Sequence, residues 1–312
     1  MRLTPPQIKE IEGLIPGRVL REVPLRRFSS FKIGGPADLI AEPAGLYDLS
    51  RLLIYLHDEK IPRTILGAGT NILFHDAGFR GVLVKTSSLT RLDFQSDGLH
   101  TAKITVSAGV PLSRLVTRAC ESGWTGIEDL WGIPGSFGGA VVTNAGAGEV
   151  STADVLQSIR LLSELGEPSN IDRKDFQAGY RSMQIPKGSV VVEGIVQLPH
   201  GDAEAIESRL SVARERRKGS QPWGLASAGC VFKNPSGEKS AGEIIDRLGF
   251  KGMAVGDAQV SEVHANFIIN REKARAADVL ELVERIRTRV REEEGIDLEL
   301  EIRVLGEEPT DD

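Results

Sequence analysis

Two glycine-rich stretches hold the residues of this chain most suited to chemistry. The first, Leu66-Gly67-Ala68-Gly69-Thr70-Asn71-Ile72-Leu73, directly follows a β-type run. Gly67 and Gly69 let the backbone approach a ligand closely and leave amide N–H groups exposed, and successive amides of that kind make a nest for a pyrophosphate. The pattern is not G-x-G-x-x-G, because position 72 is Ile. No acidic ribose partner stands out about 20 residues on, since Asp93 sits in a charged stretch, and a Rossmann site is not expected. Taken alone, this stretch reads equally as a tight turn. The second runs from Trp131 to Gly146 and holds five glycines between 132 and 146. Glycine is entropically costly, so this density needs a reason. A flexible linker is the plain alternative, but Ile133, Phe137, Val141 and Val142 make a poor one. Two such stretches, each after β-type sequence, fit a large phosphate-bearing cofactor held by backbone.

Such stretches need elements to hold them. Leu46, Leu49, Leu52, Leu53 and Leu56 recur at helical spacing, closed by Asp58-Glu59-Lys60 and Pro62. β-type runs follow at 63–66, 81–86 and 103–109. A helix is predicted from Pro111 to Gly123, with Leu112, Leu115, Val116 and Ala119 on one face. Further strands are predicted at 158–163 and 190–198. Residues 1–30 read as a short helical lead-in and a connector. Residues 202–218 read as a charged helix ending in Arg214-Glu215-Arg216-Arg217-Lys218. A basic helix end first of all complements the helix dipole, and a phosphate-facing role is the alternative. The last long helix, about 274–294, stripes Val279, Leu282, Val283, Ile286 and Val290 along one side. The closing run 298–306 alternates, which predicts a strand projecting Glu299, Glu301 and Arg303 together. Read without other information, that face is the solvated side of an edge strand.

Composition narrows the function. At 312 residues, two domains are expected. The net charge is −6, which argues against nucleic acid as a general partner. No run of about 18 apolar residues predicts a membrane span. The opening MRLTPPQIKE lacks the apolar core of a signal peptide, so a cytoplasmic protein is expected. Cys120 and Cys230 are the two cysteines, with no C-x-x-C spacing, so neither a disulfide framework nor a zinc site is expected. The five His residues show no metal-ligand spacing, and no metal is expected.

The motifs together resemble one family. F-x-I-G-G-P-A-D (31–38), G-A-G-T-N-I-L (67–73), G-I-P-G-S-F-G-G-A (132–140) and N-A-G-A (144–147) resemble the UDP-N-acetylenolpyruvoylglucosamine reductases, also called UDP-N-acetylmuramate dehydrogenases. S-A-G-C-V-F-K-N-P (227–235), A-G-E-I-I-D (241–246), L-G-F-K-G (248–252), Q-V-S-E-V-H-A-N-F-I-I-N (259–270) and E-I-R-V-L-G (301–306) extend the resemblance to nearly the whole chain, in the family's order. It implies an α+β fold: a two-lobed FAD-binding domain of the vanillyl-alcohol-oxidase (PCMH) type and a C-terminal α/β substrate-binding domain. The expected division is 1–30 lead-in, 31–199 FAD-binding domain with lobes near 31–100 and 101–199, and 200–312 substrate-binding domain. It implies FAD held non-covalently, NADPH as hydride donor, and reduction of UDP-N-acetylglucosamine-enolpyruvate to UDP-N-acetylmuramate for peptidoglycan. The implied partner is this small UDP-sugar, with no obligate protein partner. No inserted loop with an extra Tyr is evident near 190, as in the family's shorter second type.

The resemblance also implies site residues. Cofactor binding falls on Gly67, Ala68, Gly69, Thr70 and Asn71, and on Gly132, Ile133, Pro134, Gly135, Ser136, Gly138, Gly139, Asn144 and Gly146. Arg181 matches the catalytic Arg, whose guanidinium stays charged and can stabilise an enolate. Taken alone it is an exposed loop Arg. The family's Ser two residues on is Met183 here, with Ser182 displaced by one. Glu301 is implied to be catalytic. Tyr180, Lys233, Asn234 and Arg303 are implied to bind substrate, although Tyr180 reads equally as a half-buried core residue. Cys230 replaces the family's proton-donating Ser. A thiol, with an ordinary pKa near 8.5, is intrinsically the easier donor, at the cost of sensitivity to oxidation. Cys120 reads as a small buried hydrophobe and His264 as structural. Two other readings stay open: a different FAD oxidase of the same cofactor fold, and a non-catalytic UDP-sugar-binding relative. The first would lack the C-terminal motifs. The second would sooner carry Ala or Gly than Cys at 230.

Overall fold

The computed structural model describes residues 3–96, 98 and 100–306. Two compact units divide the chain, each made of non-consecutive segments. The first takes Met1–Arg21, Leu39–Ala68 and Gly81–Arg216, and the second Glu22–Asp38, Gly69–Arg80 and Arg217–Asp312. Compactness thus draws its lines elsewhere than the composition change after Pro199: 22–38 and 69–80 go with the C-terminal third, and 200–216 with the first unit.

Among the described residues, the first unit carries the α-helices α1 (Pro5–Leu14), α2 (Leu46–Asp58), α3 (Leu112–Glu121), α4 (Phe137–Val142), α5 (Thr152–Val155) and the start of α6 (Ala203–Ser220). α2 buries Leu49, Leu52, Leu53 and Leu56, the stripe its sequence shows. α3 buries Leu112, Leu115, Val116 and Ala119 and stops before Gly123, whose φ of 81° only glycine adopts cheaply. A five-stranded antiparallel sheet runs in the order Pro168–Asp172, Leu156–Leu162, Val190–Pro199, Thr101–Ser107, Leu92–Ser96. Its register sets Arg160 opposite Glu193, and Glu193 opposite Ser107. Against it pack Phe137, Val141, Leu115, Val116 and Leu130, a core shared by sheet, α3 and α4. A four-stranded sheet orders Arg18–Pro24, Pro36–Glu42, Phe79–Lys85 and Arg63–Leu66. Three of its strands contain a unit boundary, at Arg21, Asp38 and Arg80.

The second unit is built on the antiparallel order Ala226–Cys230, Phe267–Asn270, Ala258–Val260, Ala254–Val255, with α7 (Ala241–Arg247) and α8 (Ala276–Glu294). Val279, Leu282, Val283, Ile286 and Val290 of α8 are buried with Phe31, Ile33 and Leu73 from the two early segments of this unit. A parallel pair joins Arg303–Leu305 to Ile72–Phe74.

Three expectations need correction. Residues 18–24, expected as connector, form a strand. Residues 137–142 of the second glycine-rich stretch are helix, capped by Ser136 Oγ on the Gly139 amide. The strand expected over 298–306 is regular only at Arg303–Leu305. Its burial still alternates, with Leu298 and Ile302 buried. The ladder breaks because the chain changes partners. Glu299 and Glu301 bond to Lys233 and Val231 through backbone, whereas Arg303 onward pairs with Ile72 onward.

The first turn of α8 is held from a distance. Asp76 accepts from the Ala276 and Ala277 amides at 2.9 and 3.1 Å, partnering two of the donors that a helix start leaves unpaired. Asp76→Ala is expected to lower unfolding stability by about 1–2 kcal/mol, and Asp76→Asn by less. Denaturant titrations of both variants check this.

Candidate active site

Gly67 and Ala68 of the first glycine-rich stretch lie in the first unit with the second stretch. A Cβ on Gly67 would stand 2.4 Å from Ser136 Oγ, so Gly67 faces the capping serine of α4. Among the described residues, the backbone amides of Gly67 and Ala68 donate to no protein group. The glycines divide by task. A Cβ on Gly138 would lie 2.8 Å from Ala108 Cβ, and the Gly138 amide donates to Ala108 O at 2.9 Å. Gly138 is therefore needed for close packing, and its amide is spent. Leu112 N to Gly135 O (3.0 Å) and Phe137 N to Val110 O (2.7 Å) pin the same segment beside α3. A Cβ on Gly139 would meet only Ser136 Oγ, at 3.5 Å, which leaves that side of α4 open. Gly132 and Gly135 have φ of 74° and 131°, and they let the chain turn through Ile133 and Pro134.

Arg181 lies beside the end of the second stretch. Ala178–Gly179 and Ser182–Met183 form a small hairpin whose two-residue tip is Tyr180-Arg181. The tip puts Arg181 at φ 53° and leaves Tyr180 57% exposed, so Tyr180 is not a core residue. Arg181 Nη1 donates to Gly146 O at 2.9 Å, and its guanidinium lies 5.6 Å from the Tyr180 ring centre. Asn144 Nδ2 donates to Gly179 O at 3.0 Å while its Oδ1 accepts from Ala153 N. Met183 is buried in the main core, so it anchors the hairpin by apolar burial.

The second unit gathers Asn71, Cys230, Lys233, Asn234, Glu301 and Arg303. Gly229, at φ 81°, makes the irregularity that separates the Ser227 and Cys230 pairings with the neighbouring strand. Glu301 N donates to Val231 O at 2.8 Å, which sets the Glu301 backbone one residue from Cys230. Asn71 Nδ2 donates to Glu301 O at 3.1 Å, and Asn71 O accepts from Arg303 N at 3.0 Å. Lys233 Nζ is 3.0 Å from Glu299 Oε2. Asn234 Oδ1 accepts from Ala241 N, at the start of α7. Gly69 and Thr70 belong to this unit, and Gly69, at φ 69°, packs directly against the Phe28 carbonyl. Arg181 is carried by the first unit and Cys230 with Glu301 by the second.

Sequence reasoning missed Asn266. Its side chain brackets Phe232, accepting from Phe232 N at 2.9 Å and donating to Phe232 O at 2.8 Å, while its carbonyl takes Val231 N. The signal was a fully polar residue set between Ala265 and Phe267 in an apolar run. His264 Nδ1 accepts from Asn266 N at 3.2 Å. Burial first, and then the Lys251 charge, lower its pKa, which suits a neutral acceptor. Glu128 was missed as well. It is 3% exposed, and although burial pushes its pKa up, hydrogen bonds from Thr125, Arg209 and backbone amides hold it below the ordinary range.

Two family profiles match the chain. Residues 221–305 match the family profile of the UDP-N-acetylenolpyruvoylglucosamine reductase C-terminal domain, and residues 37–172 that of an FAD binding domain. A UDP-N-acetylenolpyruvoylglucosamine reductase of Syntrophus aciditrophicus (strain SB) is 38% identical over 300 residues, 96% of each chain. One from Caldanaerobacter subterraneus subsp. tengcongensis is 40% identical over 302 residues, 96% of this chain and 97% of that one. The crystal structure of the Thermus caldophilus reductase matches with a TM-score of 0.80 at 36% identity, covering 93% of this chain and 99% of that one.

The two thiols should separate by accessibility. Burial, and secondarily the Glu128 charge, push the Cys120 thiol up to about 12, whereas Cys230 is only half-buried. At pH 8 the reactive thiolate of Cys120 is then on the order of one part in ten thousand. Brief native alkylation at pH 8, mapped by peptide mass spectrometry, should label Cys230 and spare Cys120. Equal labelling of both would contradict the burial argument.

Proposed function

The chain belongs to the UDP-N-acetylenolpyruvoylglucosamine reductase family, and from that membership we propose that it is an NADPH-dependent, FAD-containing reductase converting UDP-N-acetylglucosamine-enolpyruvate to UDP-N-acetylmuramate. The observation that carries this reading is the end-to-end match to relatives of one activity, with both family profiles on one chain. The reaction supplies a peptidoglycan precursor, and hence cell-wall synthesis, shape and division. Use of NADPH and a nucleotide sugar supports a cytoplasmic location. The fold is α+β, with an FAD-binding part of the vanillyl-alcohol-oxidase type and a C-terminal part that binds the UDP-sugar. We keep 31–199 and 200–312 as the functional division, although compactness draws the boundary differently.

The cradle fits the cofactor. Gly67 and Ala68 present amides without protein partners beside the Ser136 hydroxyl, and the Gly139 side of α4 is open; a diphosphate needs donors of this kind. Gly67, Ala68, Ser136 and Gly139 would hold it, with Gly69, Thr70, Asn71, Gly132, Ile133, Pro134, Gly135, Asn144 and Gly146 shaping the cradle. Bound FAD, reduced by NADPH, supplies the hydride that no side chain can carry.

Hydride reaches one carbon of the enolpyruvyl double bond, and the electron pair moves toward the carbon bearing the carboxylate. Arg181 binds that carboxylate and stabilises the developing enolate, its guanidinium steadied by the Gly146 carbonyl. Cys230 delivers its thiol proton to the enolate carbon, which completes the saturated lactyl ether, and the thiolate recovers a proton from solvent. Glu301 is fixed beside Val231 by its own backbone and orients that transfer. Lys233, Asn234, Arg303 and Tyr180 bind the UDP-sugar.

The overall reading has a direct test. The purified protein should be yellow, bleach on NADPH, and recover colour with the enolpyruvyl substrate. Neither 67–73 nor 132–146 contains His or Cys for a covalent flavin bond, so acid precipitation should leave all the flavin in the supernatant. A colourless protein that takes up no FAD would refute the reading.

The catalytic assignments divide by half-reaction. Arg181→Met and Glu301→Gln should keep the flavin and its reduction by NADPH while slowing substrate turnover about 10²–10³-fold. Cys230→Ala should slow only reoxidation by substrate, by about 10²–10⁴-fold, and Cys230→Ser should regain much of that loss. Stopped-flow absorbance resolves the two steps. An unchanged reoxidation rate in Cys230→Ala would make Cys230 a packing residue.

A further inference from the structure

We propose that Glu128 is a positioning residue for the flavin: its buried carboxylate, held by Arg209 of α6, is a latch that launches the second glycine-rich stretch in its binding conformation. This rests on the flavoenzyme reading above and names a residue outside the cradle itself. The latch has four donors on two oxygens. Thr125 Oγ1 and Arg209 Nε donate to Oε1 at 2.6 and 3.0 Å. The amides of Gly126 and Ile127 donate to Oε2 at 2.7 and 2.8 Å. Arg209 Nη2 closes the ring by donating to Thr125 Oγ1 at 2.7 Å.

The latch leads straight into the cradle. Glu128–Leu130 is a 3₁₀ turn, Trp131 N donates to Glu128 O at 2.9 Å, and Ile133 N donates to Leu130 O at 3.2 Å. The direction in which the backbone enters Gly132-Ile133-Pro134-Gly135 is therefore set by where Glu128 is held. α6 grips the same segment twice more. Arg216 Nη2 donates to Asp129 Oδ1 at 2.8 Å, and the Arg214 guanidinium lies 5.7 Å from the Trp131 ring centre. Arg209, Arg214 and Arg216 of α6 are thus each engaged by protein groups. A buried carboxylate is costly to keep unless every lone pair is used. Here all four acceptances fall on the segment before the cradle or on the helix that grips it, so the cost is met where the stretch begins.

Glutamine at 128 cannot reproduce the latch, because either amide orientation sets an NH₂ group against two donors. Glu128→Gln, Arg209→Gln and Arg209→Lys can be stripped of flavin and titrated with FAD, following flavin fluorescence. FAD Kd should rise about 10–100-fold in Glu128→Gln and Arg209→Gln and recover partly in Arg209→Lys. FAD-saturated kcat should stay near the parent's. The apoprotein Tm should fall by less than the Tm at a fixed, limiting FAD concentration. Arg209 is half exposed and its replacement is compatible with folding, so it carries the test if Glu128→Gln does not fold. Parental FAD affinity in a folded Arg209→Gln, or equal Tm losses with and without FAD, would overturn the latch alone. Absence of FAD binding by the parent protein would instead overturn the flavoenzyme reading.

Discussion

Irregular backbone cannot be buried with its polar groups unpaired, and the site of this protein is made of irregular backbone. Side-chain amides meet that demand because one group carries both a donor and an acceptor. Asn266 brackets both backbone groups of Phe232, and Asn270 reaches the Phe31 carbonyl while accepting from the Ala274 amide. Asn71 ties Glu301, Asn144 ties the Arg181 hairpin to α5, and Asn234 caps the start of α7. Arg181, Cys230 and Glu301 each stand within two residues of one of these contacts. Hydrophobic burial makes the two units, but these amides fix where short non-repetitive segments lie inside them.

That constraint explains what could be read in advance. Periodic segments speak for themselves: the Leu stripe of α2, the face of α3 and the run 190–198 each bury what their spacing says. Segments held by single side-chain contacts carry no period. Residues 18–24 pattern poorly, with no fully buried position, and were legible only as connector. The run 298–306 shows the intermediate case. Its burial alternates as a strand should, yet its partners change at Glu301, and alternation is blind to partner identity. Composition marked the glycine-rich stretches without dividing their labour. Gly138 exists because Ala108 is there, and Gly67 because Ser136 is. Only the folded chain separates close packing from ligand approach. The site residues themselves came from motif resemblance. Asn266 and Glu128, which position those residues or their loops, carry no pattern beyond being polar in apolar company.

The departures from the family pattern are coherent once packing is considered. Met183, at the place where the resemblance implies a Ser, is buried in the main core two residues beyond Arg181. A hydroxyl at that place could hold the loop by one hydrogen bond. A buried thioether holds it by area, worth roughly 1.5–3 kcal/mol for a full side chain. Cys230 occupies a half-buried position after a glycine with φ 81°, whereas Cys120 is sealed in a core. The two thiols share chemistry and differ in environment, and Cys230 is the more accessible of the two.

Arg181 shows what such placement costs. A non-glycine residue at φ 53° gives up about 1–2 kcal/mol relative to ordinary backbone. The hairpin tip tolerates it because the structure on each side is over-determined: Met183 is buried on one strand, and Gly179 is tied to Asn144 on the other. The guanidinium itself is steadied by the Gly146 carbonyl. A carbonyl fixes the direction of the group and leaves its charge intact. Strain in the backbone and the Gly146 contact of the side chain are thus two parts of one arrangement, which holds the guanidinium in a defined place beside the end of the glycine-rich cradle.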